Sequence, residues 1–475
     1  MDQKTQTAAA LRNLPSVDRM LNSPEGLELQ ARIGLKRLTA VTRTALSELR
    51  LKMRQESGLK NGNSAEFLLS EVSKIIHEKL RLEGALGIKQ VINATGVLLH
   101  TNLGRAPLSA AALEAISRES GRYCTLEFDS STGSRGKRGI RVETLLCELT
   151  GAEDALVVNN CAAAALLILK VLAGDGETLV SRGELVEIGG DFRVPDVMSS
   201  SGTSMVEVGT TNRTHLDDYE RAINPKTRLI MRVHPSNYRI VGFASSPSLS
   251  ELAELAHSKH LPLYEDAGSG ALHDLSIYGI EDEPSVGELI QAGADVVSFS
   301  GDKLLGSAQA GLIVGRAQVI EQLRKHPLYR ALRSDKLRLA ALEQTLESYS
   351  RGKAFEEIPV LQMIRATEDE IKTRTLKLME KVANPSLIIE LRSGDSAIGG
   401  GAGPTSTIKT FLLAVSSESV GAQEILNSLR NSQPSVIARI SEDRVLLDLR
   451  TVLKDQEESL ITALNHLLRY EKSLD

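Results

Sequence analysis

The chain has 475 residues, enough for two or three domains, and its 41% apolar content is ample for a buried core. A net charge of −5 excludes a polycation, so any nucleic-acid contact must come from a local basic patch. Three cysteines (Cys124, Cys147, Cys161) without Cys-x-x-Cys spacing give no metal site and no disulfide framework, and the absence of a signal pattern or a membrane-length apolar run points to a cytoplasmic protein.

Residues 1–10 carry no pattern and read as a frayed tail. From Leu11 to Leu86 the reading is helical: Leu27, Ile33, Leu35, Leu38, Val41, Leu46 and Leu49 follow a helix period, Gly58 to Asn63 breaks it, and Ser64 caps a second helix. Arg32, Lys36, Arg37, Arg43, Arg50, Lys52, Arg54 and Lys60 face only Glu48 and Glu56, a basic helical surface that is either a solvated face or an RNA-phosphate contact. Gly84 to Gly87 reads as a linker. The polar, Gly-rich stretch His100 to Pro107 reads as an ordered loop, in which Arg105 makes either a surface salt bridge or an anion clamp. Gly133-Ser-Arg-Gly-Lys-Arg-Gly139 is a basic loop without the Gly-Lys-Ser/Thr ending of a phosphate-binding P-loop.

Strand-like runs follow at Ala155–Val158, Thr178–Ser181, Ser204–Val208, Arg228–His234, Leu261–Glu265, Asp295–Ser300 and Gly311–Val314, mostly separated by helical runs. This is the pattern of a doubly wound α/β sheet, mainly parallel. In such sheets ligands sit outside the carboxyl ends of the strands. Asn160, Cys161 and Ala162 open a helix after the first strand, where free N–H groups suit a phosphate; Asn160 would also serve as a simple N-cap. Thr210 and Thr211 either hydrogen-bond a substrate or cap a turn. His234 ends another strand, as a ring-stacking or proton-relay residue or as a satisfied core histidine.

Asp266 ends the strand Leu261–Glu265, and Lys303 sits on a tight turn between two buried runs, among Ser300, Gly301, Gly306 and Ser307. A buried lysine is costly unless its charge is satisfied or its amine is used covalently, and the small neighbours leave room for a planar group. A Schiff base between Lys303 and pyridoxal phosphate, with Asp266 against the ring nitrogen and Ser300 lining the site, accounts for both residues. Arg330 and Arg333, three apart, would share a helix face. From about Phe355 the pattern becomes a small α+β domain, with strands at Leu387–Leu391, Ile408–Val415 and Val436–Leu449, a hairpin turn at Ser441–Arg444, helices near Gly421–Arg430 and Glu457–Tyr470, and a Gly-rich connector from Gly394 to Pro404.

Leu14-Pro-Ser-Val-Asp-Arg19, Ile92 to Arg105, Ser181 to Gly190, Glu207 to Thr214, Ser300-Gly-Asp-Lys-Leu-Leu-Gly306 and Leu447-Asp-Leu-Arg450 together resemble the bacterial selenocysteine synthase family, the L-seryl-tRNA(Sec) selenium transferases, over nearly the whole chain. The resemblance implies a fold-type I transferase dependent on pyridoxal phosphate, with a helical tRNA-binding domain at 1–86, a large domain at 87–354 with a seven-stranded sheet, and a small domain at 355–475. It implies conversion of seryl-tRNA(Sec) to selenocysteinyl-tRNA(Sec) through an aminoacrylyl intermediate. Selenophosphate would be held by Arg105, Arg330 and Arg333, and the assembly would be a ring of dimers, a homodecamer. Two departures stand out: the family usually has Asn at Cys161, which is read here as packing, and Gly-Pro at Ser307-Ala308. Two competing readings are a β-eliminase or ammonia-lyase acting on a small amino acid, which has no use for a basic helical domain, and an RNA-binding protein on a decayed enzyme core, which has no use for Lys303 and Asp266.

Overall fold

In this computed structural model the described residues are 11–55, 64–85, 87–188 and 192–467. The expected tail, the Gly58–Asn63 break, Lys60, Gly190 and the end of the last helix at Tyr470 lie outside them. The chain forms two compact units, Met1–Gln90 and Val91–Asp475.

The first unit is helical: Val17–Leu21, Pro24–Ile33, Leu35–Gln55 and Ala65–Ala85. Ser16, Ser23 and Ser64 cap three of these helices by accepting from the backbone N–H groups of Arg19, Gly26 and Phe67. Leu38, Ala45, Leu49 and Met53 from the third helix pack with Leu68, Val72, Ile76 and Leu80 of the fourth. The fourth helix runs on through Gly84, so the expected linker begins later than its glycines suggest. Lys36, Arg43, Arg50 and Arg54 are exposed, and their spacing of seven, seven and four places them on one stripe opposite the buried face.

The second unit is built on a seven-stranded sheet: β1 Asp154–Val158, β2 Glu177–Ser181, β3 Ser204–Val208, β4 Thr227–Val233, β5 Leu263–Gly268, β6 Val296–Ser300 and β7 Gly311–Gly315. The spatial order is β1-β7-β6-β5-β4-β2-β3. All neighbours are parallel except β7, which runs antiparallel to both β6 and β1. The central strands are buried on both faces, between two apolar clusters, which is why they read as continuous apolar runs.

The C-terminal part carries a four-stranded antiparallel sheet ordered β8-β9-β12-β11, with β8 Ile388–Gly399, β9 Ala402–Ser416, β11 Arg439–Ser441 and β12 Arg444–Asp448. The short β10, Ser435–Ile437, instead pairs in parallel with Val91–Asn93. Ile92 and Ala94 accordingly sit in the C-terminal core. Glu442 and Asp443, both at positive φ, make the expected hairpin turn between β11 and β12.

The stretch Gly394 to Pro404 is not a connector. It is the end of a long β8–β9 hairpin, turned by Gly399, Gly400 and Gly401 at φ of 75°, 64° and 76°, with Gly403 also left-handed at 51°. Three successive left-handed residues require glycine, so a run that reads as a flexible loop is a tight, fixed turn. The helix before Arg333 ends at Leu332, so Arg330 and Arg333 do not share a helix face: Arg333 is already extended, bridged to Val158 at the end of β1.

Candidate active site

Lys303 lies on the turn between β6 and β7. Gly301 N–H donates to Ala310 O, Ser307 N–H to Gly301 O and Leu304 N–H to Ser269 O, which ties this turn to its own ends and to the turn after β5. Tyr349 clamps it from outside by donating from its hydroxyl toward Leu304 O and Leu305 O. Gly306 is needed here: at φ 76°, a Cβ would come within 2.2 Å of Ile358 Cγ2. The departure Ser307 is absorbed by a hydrogen bond from Thr345 Oγ1 at 2.9 Å. Lys303 is only 4% exposed, and its Nζ donates to Gly401 O at 3.4 Å. Burial holds the amine below the usual lysine range, and the Arg105 charge adds to this, while Asp266 and Asp302 oppose it. A neutral amine is what covalent capture of an aldehyde needs.

Asp266 is on the adjacent strand end, 8% exposed. Burial raises its carboxyl above the usual range; hydrogen bonding from Ser298 and the Lys303 charge act in the opposite direction. Ser298 Oγ donates to Asp266 Oδ1 at 2.8 Å, and Cys161 Sγ approaches the same oxygen at 3.6 Å. The Cys161 thiol is pushed up by burial and by the Asp266 charge, so it is a protonated packing group and not a nucleophile. Ser300, buried at the end of β6, faces this thiol.

Asn160 caps the helix Cys161–Ala173, accepting at Oδ1 from Ala163 N–H at 2.8 Å. The cap leaves the first-turn amides of Cys161 and Ala162 without intrahelical partners, the arrangement that receives a phosphate. Arg105 is at a left-handed φ of 61°, unusual for a side chain of its size, and its Nη1 donates to Asp302 Oδ2 at 2.9 Å. Asp302 immediately precedes Lys303, and its Oδ1 is buried without a partner. Arg105 and Asp302 line a cavity of about 490 Å³ with Thr101, Ala106 and Gln309. Arg333 pairs with Glu127, which also holds Arg135 and Arg138; Arg330 is exposed. Arg105 and Arg333 are thus anchored to different carboxylates.

His234 follows β4, its N–H donating to Asp266 O at 3.0 Å. Its Nε2 lies 2.9 Å from Asp282 O, which can only accept, so Nε2 donates there, and Nδ1 is buried without a partner. Thr210 and Thr211 follow β3 at the edge of the sheet, four strand spacings or roughly 19 Å from the strand that bears Lys303. The Thr210 hydroxyl closes its own turn, donating to Arg213 O and accepting from Arg213 N–H, the capping alternative. Thr211 lines a cavity of about 750 Å³ with His234, Tyr238 and Glu265, whose lining does not include Lys303.

Several residues at this site carried no role in the sequence reading. Gly401 comes from the hairpin mistaken for a connector. Ser236 is buried with its Oγ unpartnered, 3.4 Å from where a Gly401 Cβ would stand. Ser298 had a readable signal: a polar residue in an apolar strand, on the same face as Ser300.

Pyridoxal phosphate fits these residues. A buried amine and a buried carboxylate end adjacent strands, a helix N-terminus is open beside them, and Ser236 Oγ and His234 Nδ1 are buried polar atoms without partners. Gly401 keeps the space at the amine clear, since a Cβ there would lie 3.3 Å from Lys303 Nζ.

Residues 91–453 match the family model described as L-seryl-tRNA selenium transferase, and residues 11–50 match that described as selenocysteine synthase N terminal. An L-seryl-tRNA(Sec) selenium transferase of Moorella thermoacetica is 46% identical over 458 residues, 96% of each chain. Proteins of the same name from Carboxydothermus hydrogenoformans and Geobacter sulfurreducens are 43% and 45% identical, covering 94% and 96% of this chain and 95% and 98% of theirs. Among solved structures, a D-glucosaminate-6-phosphate ammonia-lyase superposes with a TM-score of 0.56 at 23% identity, covering 81% of this chain and 97% of that one, which establishes a shared fold.

Proposed function

The chain belongs to the L-seryl-tRNA selenium transferase family, and from that premise we propose how its residues carry out the reaction. It is a fold-type I enzyme that converts L-seryl-tRNA(Sec) to L-selenocysteinyl-tRNA(Sec), exchanging the seryl oxygen for selenium. The observation that carries the residue assignment is the buried pair Lys303 and Asp266 on adjacent strand ends, 4% and 8% exposed, two ionisable groups that are costly without a ligand between them.

Pyridoxal phosphate, bound covalently to Lys303, supplies an electron sink that acidifies the seryl α-carbon and loosens the bond from the β-carbon to its oxygen. Asp266 would hold the proton on the ring nitrogen. Asn160 fixes the helix whose amides, at Cys161 and Ala162, would receive the phosphate, and Cys161, Ser300 and His234 would line the site around the ring. The Lys303 amine, whose hold on its proton burial weakens, would be the base for the seryl α-proton. Arg105, held by Asp302 beside that lysine, receives the selenophosphate donor; Arg333, held by Glu127, and the exposed Arg330 would join it only by leaving those positions. Thr210 and Thr211 are kept as substrate contacts only if another subunit brings them to a lysine.

The stripe Lys36, Arg43, Arg50 and Arg54 contacts the tRNA backbone, a reading supported by the family match at residues 11–50. This unit also separates the reading from a small-molecule lyase, which shares the fold of the second unit. Val241 and Phe243, exposed at 84% and 85%, are apolar surface that association into a homo-oligomer would bury. Among the described residues no helix is long and apolar enough to cross a membrane, in keeping with a cytoplasmic enzyme.

The test is selenium transfer to purified seryl-tRNA(Sec) from selenophosphate. Arg43→Glu with Arg50→Glu, both exposed, should leave cofactor uptake intact and weaken tRNA retention in a gel shift at least tenfold; unchanged retention rejects the stripe.

A further inference from the structure

Two hydroxyls behind Asp266 have no part in the reaction as described. In the parallel β5–β6 pairing Asp266 stands directly across from Ser298. Tyr264, two residues earlier on β5, points to the same face. Ser298 Oγ lies 2.8 Å from Asp266 Oδ1, and Tyr264 OH lies 2.8 Å from Ser298 Oγ. Both residues are 0% exposed.

Counting protons fixes the direction of this chain. An ionised carboxylate only accepts, so the single Ser298 proton is directed at Asp266. Ser298 can then only accept from its other neighbours, Tyr264 OH at 2.8 Å and the more distant Cys161 Sγ at 3.8 Å, and Tyr264 is the donor in the close contact. A tyrosine hydroxyl at the centre of an apolar sheet costs stability unless paired, and its pairing here ends on a functional carboxylate.

We propose that Tyr264 and Ser298 form a one-way hydroxyl relay that orients Asp266 and keeps it ionised against the ring nitrogen of the cofactor. Both are positioning residues. The need is physical: burial works against the charged form of Asp266, and a neutral acid would not hold a proton on the ring. The charged and titratable groups around it are Lys303 from the β6–β7 turn, His234 from the end of β4, Cys161 from the helix after β1, and Glu265 from its own strand. Of these, Lys303 is consumed by the cofactor, the Cys161 contact is a weak one at 3.6 Å, and His234 acts without a side-chain hydrogen bond to the carboxylate, so the relay is the close side-chain hydrogen bond that remains on it among the described residues.

The inference rests on the reading that pyridoxal phosphate binds between Lys303 and Asp266, and its test keeps the two separate. Full-length wild type, Ser298→Ala and Tyr264→Phe are compared by pyridoxal phosphate titration, by the pH midpoint of the bound cofactor's visible absorbance, and by thermal unfolding. Ser298→Ala should bind the cofactor roughly tenfold more weakly, the size expected when a charged acceptor loses a donor. Its absorbance midpoint should move to higher pH, because a ring that has lost its nitrogen proton withdraws less from the lysine linkage, which then keeps its own proton longer. Tyr264→Phe should shift both values the same way by less. Folded variants with wild-type affinity and midpoint overturn the relay. If Ser298→Ala does not fold, Tyr264→Phe decides alone, an unshifted midpoint overturning the relay. Wild type that takes up no cofactor overturns the site reading and the relay with it.

Discussion

Gly401→Ala tests the least expected feature of the site, the hairpin turn that closes over the lysine. Two costs can be worked out separately. An alanine at φ 76° suffers left-handed strain of about 1 kcal/mol, which for a chain of this size lowers the melting temperature by a few degrees. The new methyl would also stand 3.3 Å from Lys303 Nζ, a tight approach, and in ordinary contact with Ser236 Oγ at 3.4 Å. The lysine tip can move, so the fold survives; what is lost is the position in which the amine meets an aldehyde. Gly352→Ala is the control, because it has a similar φ of 67° and open space around its would-be Cβ. Both variants should melt slightly lower than wild type. Only Gly401→Ala should bind pyridoxal phosphate at least tenfold more weakly, about 1.4 kcal/mol, in a fluorescence titration. Equal cofactor affinity in the two variants would refute the placement of the hairpin over the amine.

Glu184, whose carboxylate accepts from Val233 N–H, is pushed by burial from 4.5 up to about 8. The folded state therefore keeps a proton that the unfolded chain releases between those values, and this contribution to stability is present below pH 4.5 and lost as pH rises through about 8. Glu184→Gln should remove that decline, a difference from wild type on the order of 2–4 kcal/mol across the window, read by denaturant unfolding at pH 5 and pH 8; parallel pH profiles would contradict it. Arg450, 1% exposed, donates to Met363 O, Ala366 O and Lys409 O and to Ser396 Oγ. Arg450→Ala leaves three carbonyls unmet and should cost about 3–5 kcal/mol in the same assay, whereas a loss under about 1 kcal/mol would show that water replaces the guanidinium.

The central sheet was legible because its strands are buried on both faces and bounded by turn residues. The expected run Asp295–Ser300 and the observed Val296–Ser300 differ by one residue. Lys303 and Asp266 were legible for a related reason: a charged residue at the end of an apolar run has few roles. The β8–β9 hairpin was not legible, since Gly394, Gly399, Gly400 and Gly401 carry the composition of a loop. Its strand identity comes from pairing across the hairpin, with Gly394 accommodating Leu412 of the partner strand. The arginines were misplaced for a different reason. Spacing of three implies a shared face only while the helix lasts, and Arg333 leaves the helix to bridge Val158. The Arg105–Asp302 pair joins residues 197 apart in sequence, which no local pattern encodes.

The central claim is that one buried amine holds the cofactor. Reduction of the holoenzyme with borohydride fixes pyridoxal phosphate to its lysine, and peptide mass spectrometry locates the label. The account predicts the label on Lys303, with none retained in Lys303→Ala; a label on any other lysine, or retained in that variant, would contradict it.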